Sequence, residues 1–230
     1  MLYTSFYAKR PQIYRHIFKL QKNNCLYFAA MFTGIVECTG IIKSIVSSGS
    51  NKSFLISSPV SSSLKVDQSV SHNGICLTVE STDGSTHTVT AIAETLSKTN
   101  MHDWQDGDVI NMERCMQING RIDGHIVQGH VDATARCMSV DEANGSWQYS
   151  FEFDEIHAPL IIEKGSVCVN GISLTAFNVG RNTFSVAIIP YTYHHTNIQH
   201  IQKGMRVNIE FDIIGKYLLR FREVTGEVRR

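Results

Sequence analysis

No apolar run in the 230-residue chain reaches the 18 or so residues that a membrane-spanning helix requires, and there are only 4 prolines. A helical membrane protein and a proline-rich low-complexity chain are thereby excluded. Charged residues are held to 18% while hydrophobic ones reach 43%, so the chain is no disordered segment and can bury one large core or two smaller ones. Residues 1–30 contain no acid at all, and Lys9, Arg10, Arg15, Lys19 and Lys22 stand there unopposed. The remainder holds 16 basic against 21 acidic residues. That balance argues against a nucleic-acid partner, because phosphates require clustered Lys and Arg.

No C-x-x-C pair occurs among Cys25, Cys38, Cys76, Cys115, Cys137 and Cys168. Reduced thiols in a cytoplasmic protein fit this spacing better than a zinc site or a disulfide framework. A dinucleotide-binding G-x-G-x-x-G, a Walker loop and an H-E-x-x-H are all missing. Gly171-Ile172-Ser173-Leu174-Thr175 lacks the second glycine of a nucleophile elbow. His125 and His130 are an odd number of residues apart and would face opposite sides of a regular strand, so no metal site is expected.

What the chain does have is an internal duplication. An offset of 97 residues lays Asn73-Gly74-Ile75-Cys76-Leu77-Thr78 on Asn170-Gly171-Ile172-Ser173-Leu174-Thr175, and residues 73–113 then show 15 identities in 41 positions without a gap. With a two-residue shift, Gly34-Ile35-Val36-Glu37 falls on Gly129-His130-Val131-Asp132. A repeat of this length is an independent small domain and not a solenoid unit. The division expected is 31–126 for the first unit, 127–212 for the second and 213–230 for a terminal helix, with 1–30 a leader or a mis-assigned start and organelle targeting a minority reading.

Within each unit the pattern is strand-like. Thr86–Ile92 and Thr183–Ile189 are rich in β-branched and aromatic residues and follow turn residues, and further strands are expected at 34–46, 53–58, 70–71 and 109–113 with counterparts in copy two. About six short strands per unit suggest a closed or nearly closed antiparallel barrel, since closure removes exposed edges. Helix is expected only at 94–100, 192–201 and 213–224. In the last, Ile213, Ile214, Tyr217, Leu218 and Phe221 share a face that its own barrel or another subunit must cover.

Met31-Phe32-Thr33-Gly34-Ile35-Val36-Glu37, His72–Val79, Glu94-Thr95-Leu96, Gly124-His125, Gly129-His130-Val131 and Asn170–Thr175 together resemble the riboflavin synthase family of the alpha-subunit type, over residues 31 to about 224. The resemblance implies an all-β chain of two similar six-stranded Greek-key barrels with a C-terminal α-helix that trimerises it. It also implies a cofactor-free dismutation of two 6,7-dimethyl-8-ribityllumazine molecules, a small-molecule substrate bound twice per site, and possible association with lumazine synthase. No membrane partner is implied. In the family the working site lies between the N-barrel of one subunit and the C-barrel of a neighbour.

Carried over on matching positions, the N-barrel pocket comprises Gly34, Ile35, Val36, Cys76, Leu77, Thr78, Thr90, Ala91, Ile92, Ala93, Glu94 and Thr95, met by Gly129, His130 and Val131. The C-barrel pocket comprises Lys164, Ser173, Leu174, Thr175, Ala187, Ile188, Ile189, Pro190, Tyr191 and Thr192. Ile35, Val36, Leu77 and Ile188 are expected to sandwich the ring faces. The copies differ where Cys76 meets Ser173, Asp67 meets Lys164 and Cys115 meets Asp212, and a dismutase must give donor and acceptor different surroundings. Ser173, Thr175 and Asp212 are the expected catalytic cluster of the C-barrel, with His130, Ser69 and Cys76 as proton carriers opposite. Asp212 directly precedes the terminal helix and can equally be its N-cap. Tyr191-Thr192-Tyr193 replaces Glu94-Thr95-Leu96 in copy two, which removes any role for an acid there. A lumazine- or flavin-binding antenna protein of the same fold is the main rival, and a two-barrel flavin reductase module lacks room for its nucleotide partner domain.

Overall fold

The computed structural model describes residues 31–226. The leader expected at 1–30 lies outside the described residues. The first barrel comprises β1 (Cys38–Ser48), β2 (Asn51–Ser57), β3 (Ser69–His72), β4 (Ile75–Thr82), β5 (Thr86–Ala91) and β6 (Val109–Arg114), with α1 (Ala93–Lys98) between the last two. The second comprises β7 (Ala133–Ala143), β8 (Ser146–Glu152), β9 (Ser166–Val169), β10 (Ile172–Thr175), β11 (Thr183–Ile188) and β12 (Arg206–Phe211), with α2 (Pro190–His195) and then the terminal α3 (Ile213–Thr225). Strand order is β1-β2-β5-β4-β3-β6 in the first, which closes, and β10-β9-β12-β7-β8-β11 in the second. The second barrel nearly closes. Beyond β10 its chain continues to a single bridge in which Phe177 and Ser185 exchange both backbone hydrogen bonds.

Alternation builds each core. In β5, Thr86-His87-Thr88-Val89-Thr90-Ala91 sends His87, Val89 and Ala91 inward, and β2 buries Phe54 and Ile56 in the same phase. The first core is mainly aliphatic, with Phe54, Met101, Met112 and Trp104, whereas the second is aromatic, with Tyr149, Phe151, Phe153, Phe184 and Phe211. The barrels meet through buried asparagines of the two Asn-Gly turns and their partners. Asn111 Nδ2 donates to Asn170 O and Asn197 Oδ1 at 2.9 Å each, and Asn208 Nδ2 donates to Asn73 O at 3.0 Å. Buried side-chain amides are costly when unpaired, and although Asn170 Nδ2 is left without a protein partner, the bonds the others make across the seam favour one arrangement of the barrels.

The stretch 34–37, expected as the start of the first strand, is not part of β1. It is a strap running to the other barrel, and so is its counterpart at 125–131. The two straps pair with each other, Phe32 and Val127 exchanging backbone hydrogen bonds at 2.7 and 3.0 Å. Phe32, Val127 and Cys168 form a small apolar cluster beneath them, with Cys76 and Cys115 against it.

Candidate active site

Strand parity decides which expected contacts can meet a ligand. Cys76 and Thr78 lie on the outward face of β4, and Ser173 and Thr175 on that of β10. Between them Leu77 is buried in the first core and Leu174 packs against the second. Ala91 and Ile188 likewise face the interiors. Leu77 and Ile188 therefore cannot sandwich a ring lying outside, because a two-residue period sends every second side chain to the other face. The apolar residues exposed on that side are Ile92 and Ile189, at 55% and 59%, with Tyr191 at 69%. Three of the molecule's cavities, of about 640, 510 and 410 Å³, lie between the barrels, beside Ile35 and Ser69, and beside Asp212. In a single chain the straps cover Ser173 and Cys76, while Thr78, Thr175, Ile92 and Ile189 on the same faces are exposed.

One strap lies where it was expected, Gly129–Val131 beside Cys76, while Gly34–Val36 lies on the second barrel and not in the first-barrel pocket. Gly34 O accepts from Ser173 N at 2.8 Å and Val36 packs on the second core, whereas Gly129 O accepts from Cys76 N at 2.9 Å and Val131 packs on the first. Gly34, Ile35 and Val36 accordingly flank Ser173, and Gly129, His130 and Val131 flank Cys76.

Around Ser173 the chemistry is polar and buried. Ser173 Oγ lies 2.7 Å from His125 Nδ1. Burial holds the imidazole below its ordinary value, and the charge of Asp212 acts in the opposite direction. His125 Nε2 is buried without a protein partner. A neutral imidazole against a hydroxyl can take its proton, and Asp212 favours the imidazolium that results. His125 is the residue that sequence reasoning missed. Its signal was present in Gly124-His125, but the strap that carries it crosses from one barrel to the other.

Asp212 is the N-cap of α3, one of the two places expected for it. Its Oδ1 accepts from Ile214 N at 3.0 Å as the N-cap of α3, while its charge is felt at His125. Thr175 is exposed on the same face as Ser173. Lys164 turns away, with Nζ 5.3 Å from the centre of the Phe177 ring.

Around Cys76 the setting is different. Burial pushes the thiol up, a hydrogen bond with Ser69 lowers it, and Glu210 raises it. Cys76 is therefore a protonated thiol, suited to giving or relaying a proton and unsuited to nucleophilic attack. Cys115 donates its thiol to Ser69 O at 3.0 Å and is itself pushed up to about 11 by burial. His130 is exposed beside them. Among the accompanying helices, α1 carries the exposed ion pair Lys98–Glu94 at 2.9 Å. α2 replaces that pair, at the same spacing, with Tyr191 stacked on His195, and it seats Tyr193 on Trp147 at 3.6 Å between ring centres. Thr95 and Thr192 are half-buried at matching positions on α1 and α2. Ala93, Glu94 and Pro190 are exposed.

Residues 33–115 and 128–212 each match the lumazine binding domain. The curated riboflavin synthase of Bacillus subtilis (strain 168) is 37% identical over 198 residues, covering 86% of this chain and 92% of that one. That of Mycobacterium tuberculosis (strain H37Rv) is 37% identical over 207 residues, covering 85% and 100%. The chain belongs to the riboflavin synthase family. Among solved structures, LumP complexed with riboflavin has the same fold, with a TM-score of 0.73 at 20% identity, covering 78% of this chain and 98% of that one. LumP complexed with 6,7-dimethyl-8-(1'-D-ribityl) lumazine gives 0.71. The two lumazine binding domain matches leave out 116–127, the connection that carries His125.

Proposed function

We propose that the chain catalyses the riboflavin synthase reaction. Two molecules of 6,7-dimethyl-8-ribityllumazine dismute to riboflavin and 5-amino-6-(ribitylamino)uracil, one giving up and the other gaining a four-carbon unit. Because the unit passes between two identical molecules, the electrons balance within the pair and no cofactor is called for. The observation that carries this reading is the unequal pair of equivalent positions, Ser173 beside His125 and Cys76 beside Ser69, on otherwise matching faces. Two like faces can bind two like molecules, and two unlike side chains can give them unlike fates. Ser173, polarised by His125, adds to or activates water for one lumazine. Cys76, Ser69 and His130 handle protons at the other.

In the same reading the exposed parts of both faces are closed by neighbouring subunits in a homotrimer, each site pairing a first barrel with a second. This is supported by the exposed Ile92, Ile189 and Tyr191 and by the uncovered side of α3. A cytoplasmic location rests on the free thiols of Cys38, Cys76, Cys115, Cys137 and Cys168. Association with lumazine synthase, the source of the substrate, is the partner this activity suggests.

The test is direct. Purified chain supplied with the lumazine alone should form riboflavin, read by fluorescence, and 5-amino-6-(ribitylamino)uracil in equal amounts. Binding without conversion would establish the antenna reading in its place.

A further inference from the structure

We propose that Glu113 and Glu210 are positioning residues wired crosswise: Glu113 of the first barrel sets the strand bearing Ser173 in the second, and Glu210 of the second sets the strand bearing Cys76 in the first. The proposal deepens the functional reading above and rests on it for the roles of Ser173 and Cys76. The wiring itself rests on geometry.

Glu113 is buried on β6, and its Oε1 accepts from Thr33 N at 2.7 Å and from Thr33 Oγ1 at 2.8 Å while Oε2 accepts from Gly34 N at 2.9 Å. The peptide so gripped presents Gly34 O to Ser173 N. Glu210, buried on β12, takes Gln128 N on Oε1 at 2.7 Å and His130 N on Oε2 at 2.9 Å. The residue held between, Gly129, presents its carbonyl to Cys76 N. Donors held on two separate atoms of one side chain need both atoms to accept, as a carboxylate's two oxygens do, whereas glutamine has a donating amino group in place of one of them.

Neither strap has slack. A Cβ on Gly34 would lie 2.6 Å from Ser173 Cβ, and one on Gly129 would lie 2.5 Å from Cys76 Cβ, with both glycines at positive φ. The ladder within each barrel offers the competing route. Glu113 pairs with Ser71, which pairs with Cys76, and Glu210 pairs with Cys168, which pairs with Ser173. If the carboxylates acted through their own barrels, the effects would therefore fall on the opposite residues.

Hydrogen exchange of the full chain, followed by mass spectrometry without ligand, separates the two routes. Glu113→Gln should speed exchange around Ser173 by about tenfold while leaving Cys76 within about twofold, and Glu210→Gln should do the reverse. Acceleration in the same barrel, or equal acceleration in both, overturns the proposal. Should either variant fail to fold, Gly34→Ala and Gly129→Ala displace the same straps and must show the same crossed pattern. In turnover each glutamate variant should lose kcat at nearly unchanged KM. Crossed exchange with turnover intact in both overturns the positioning role. A parent chain that makes no riboflavin removes the functional reading and leaves the exchange result standing.

Discussion

Ser173 and Cys76 are equivalent in sequence and unlike in company, and the difference can be measured at the level of single atoms. Losing a hydrogen-bonded hydroxyl from a buried site costs about 1–3 kcal/mol. Ser173→Ala should therefore lower kcat with little change in KM, and Cys76→Ala should do less, because its thiol has only a weak bond to lose. Similar losses of affinity in the two variants, with turnover unaffected, would reduce both residues to binding contacts. Asp212→Asn is the sharper comparison. Asparagine caps a helix about as well as aspartate, so a pure cap loses almost nothing, whereas removal of the charge that favours protonated His125 should cost roughly 10²-fold in turnover. Steady-state rates of the two variants at matched folding decide between these. Ser173, Thr175 and Asp212 could be singled out as candidates because they sit at matched positions of the repeat. His125 was left unassigned because its contact depends on a connection that leaves the repeat.

Among the elements, the barrels were legible from the 97-residue offset and from alternation, and the structure keeps both. The misreadings have two physical origins. The segment 34–37 is extended like a strand, and nothing local tells an extended strap from a ladder strand when its partner is over a hundred residues away. The inward parity of Leu77 and Ile188 follows from Ile75 and Val186, buried in the same phase, yet that phase has meaning only once the barrel interior is known. The terminal helix was the easiest element to read. α3 rests Gly215 near Leu160 and ties Lys216 to Asp132 at 2.7 Å, while Ile214, Tyr217, Leu218, Phe221 and Val224 stay exposed. Such a stripe on one helix is a subunit contact in waiting. On the homotrimer reading, removing residues 213–230 should leave monomers that keep lumazine binding on the first barrel and lose most turnover. Light scattering showing an intact, fully active trimer would remove α3 from the interface.

At the scale of the whole molecule the two barrels answer acid differently. The first core contains a chain of polar groups: His72 Nδ1 donates to Val70 O at 3.0 Å, the two Nε2 atoms of His72 and His87 are 2.9 Å apart, and His87 Nδ1 meets Ser61 Oγ at 2.9 Å. The second core has Val169 and Phe184 at the same two places. Burial, with mutual repulsion at His72, lowers His72 to about 3 and His87 to about 4. Groups with lowered values favour the fold above their ordinary 6.5, and that contribution is lost as pH falls toward 4 and 3. Glu210 of the second barrel is raised to about 7 and its counterpart Glu113 of the first is raised too, both chiefly by burial, so each barrel has one carboxylate whose protonation favours the fold as pH falls, and the histidine pair is what sets the first barrel apart. The first barrel should therefore unfold first in acid. Each barrel has one tryptophan against its core, Trp104 and Trp147, so Trp147→Phe and Trp104→Phe variants report the barrels separately by fluorescence. Coincident acid transitions would contradict this. The crossed straps carry a different consequence, for a broken chain. Residues 117–122 form an exposed connection, and a protease that nicks it separates the sequence into halves that still hold each other's strands. The cut protein should run as two fragments in denaturant and as one particle without it, each half keeping in place the segment on which the other's reactive side chain depends.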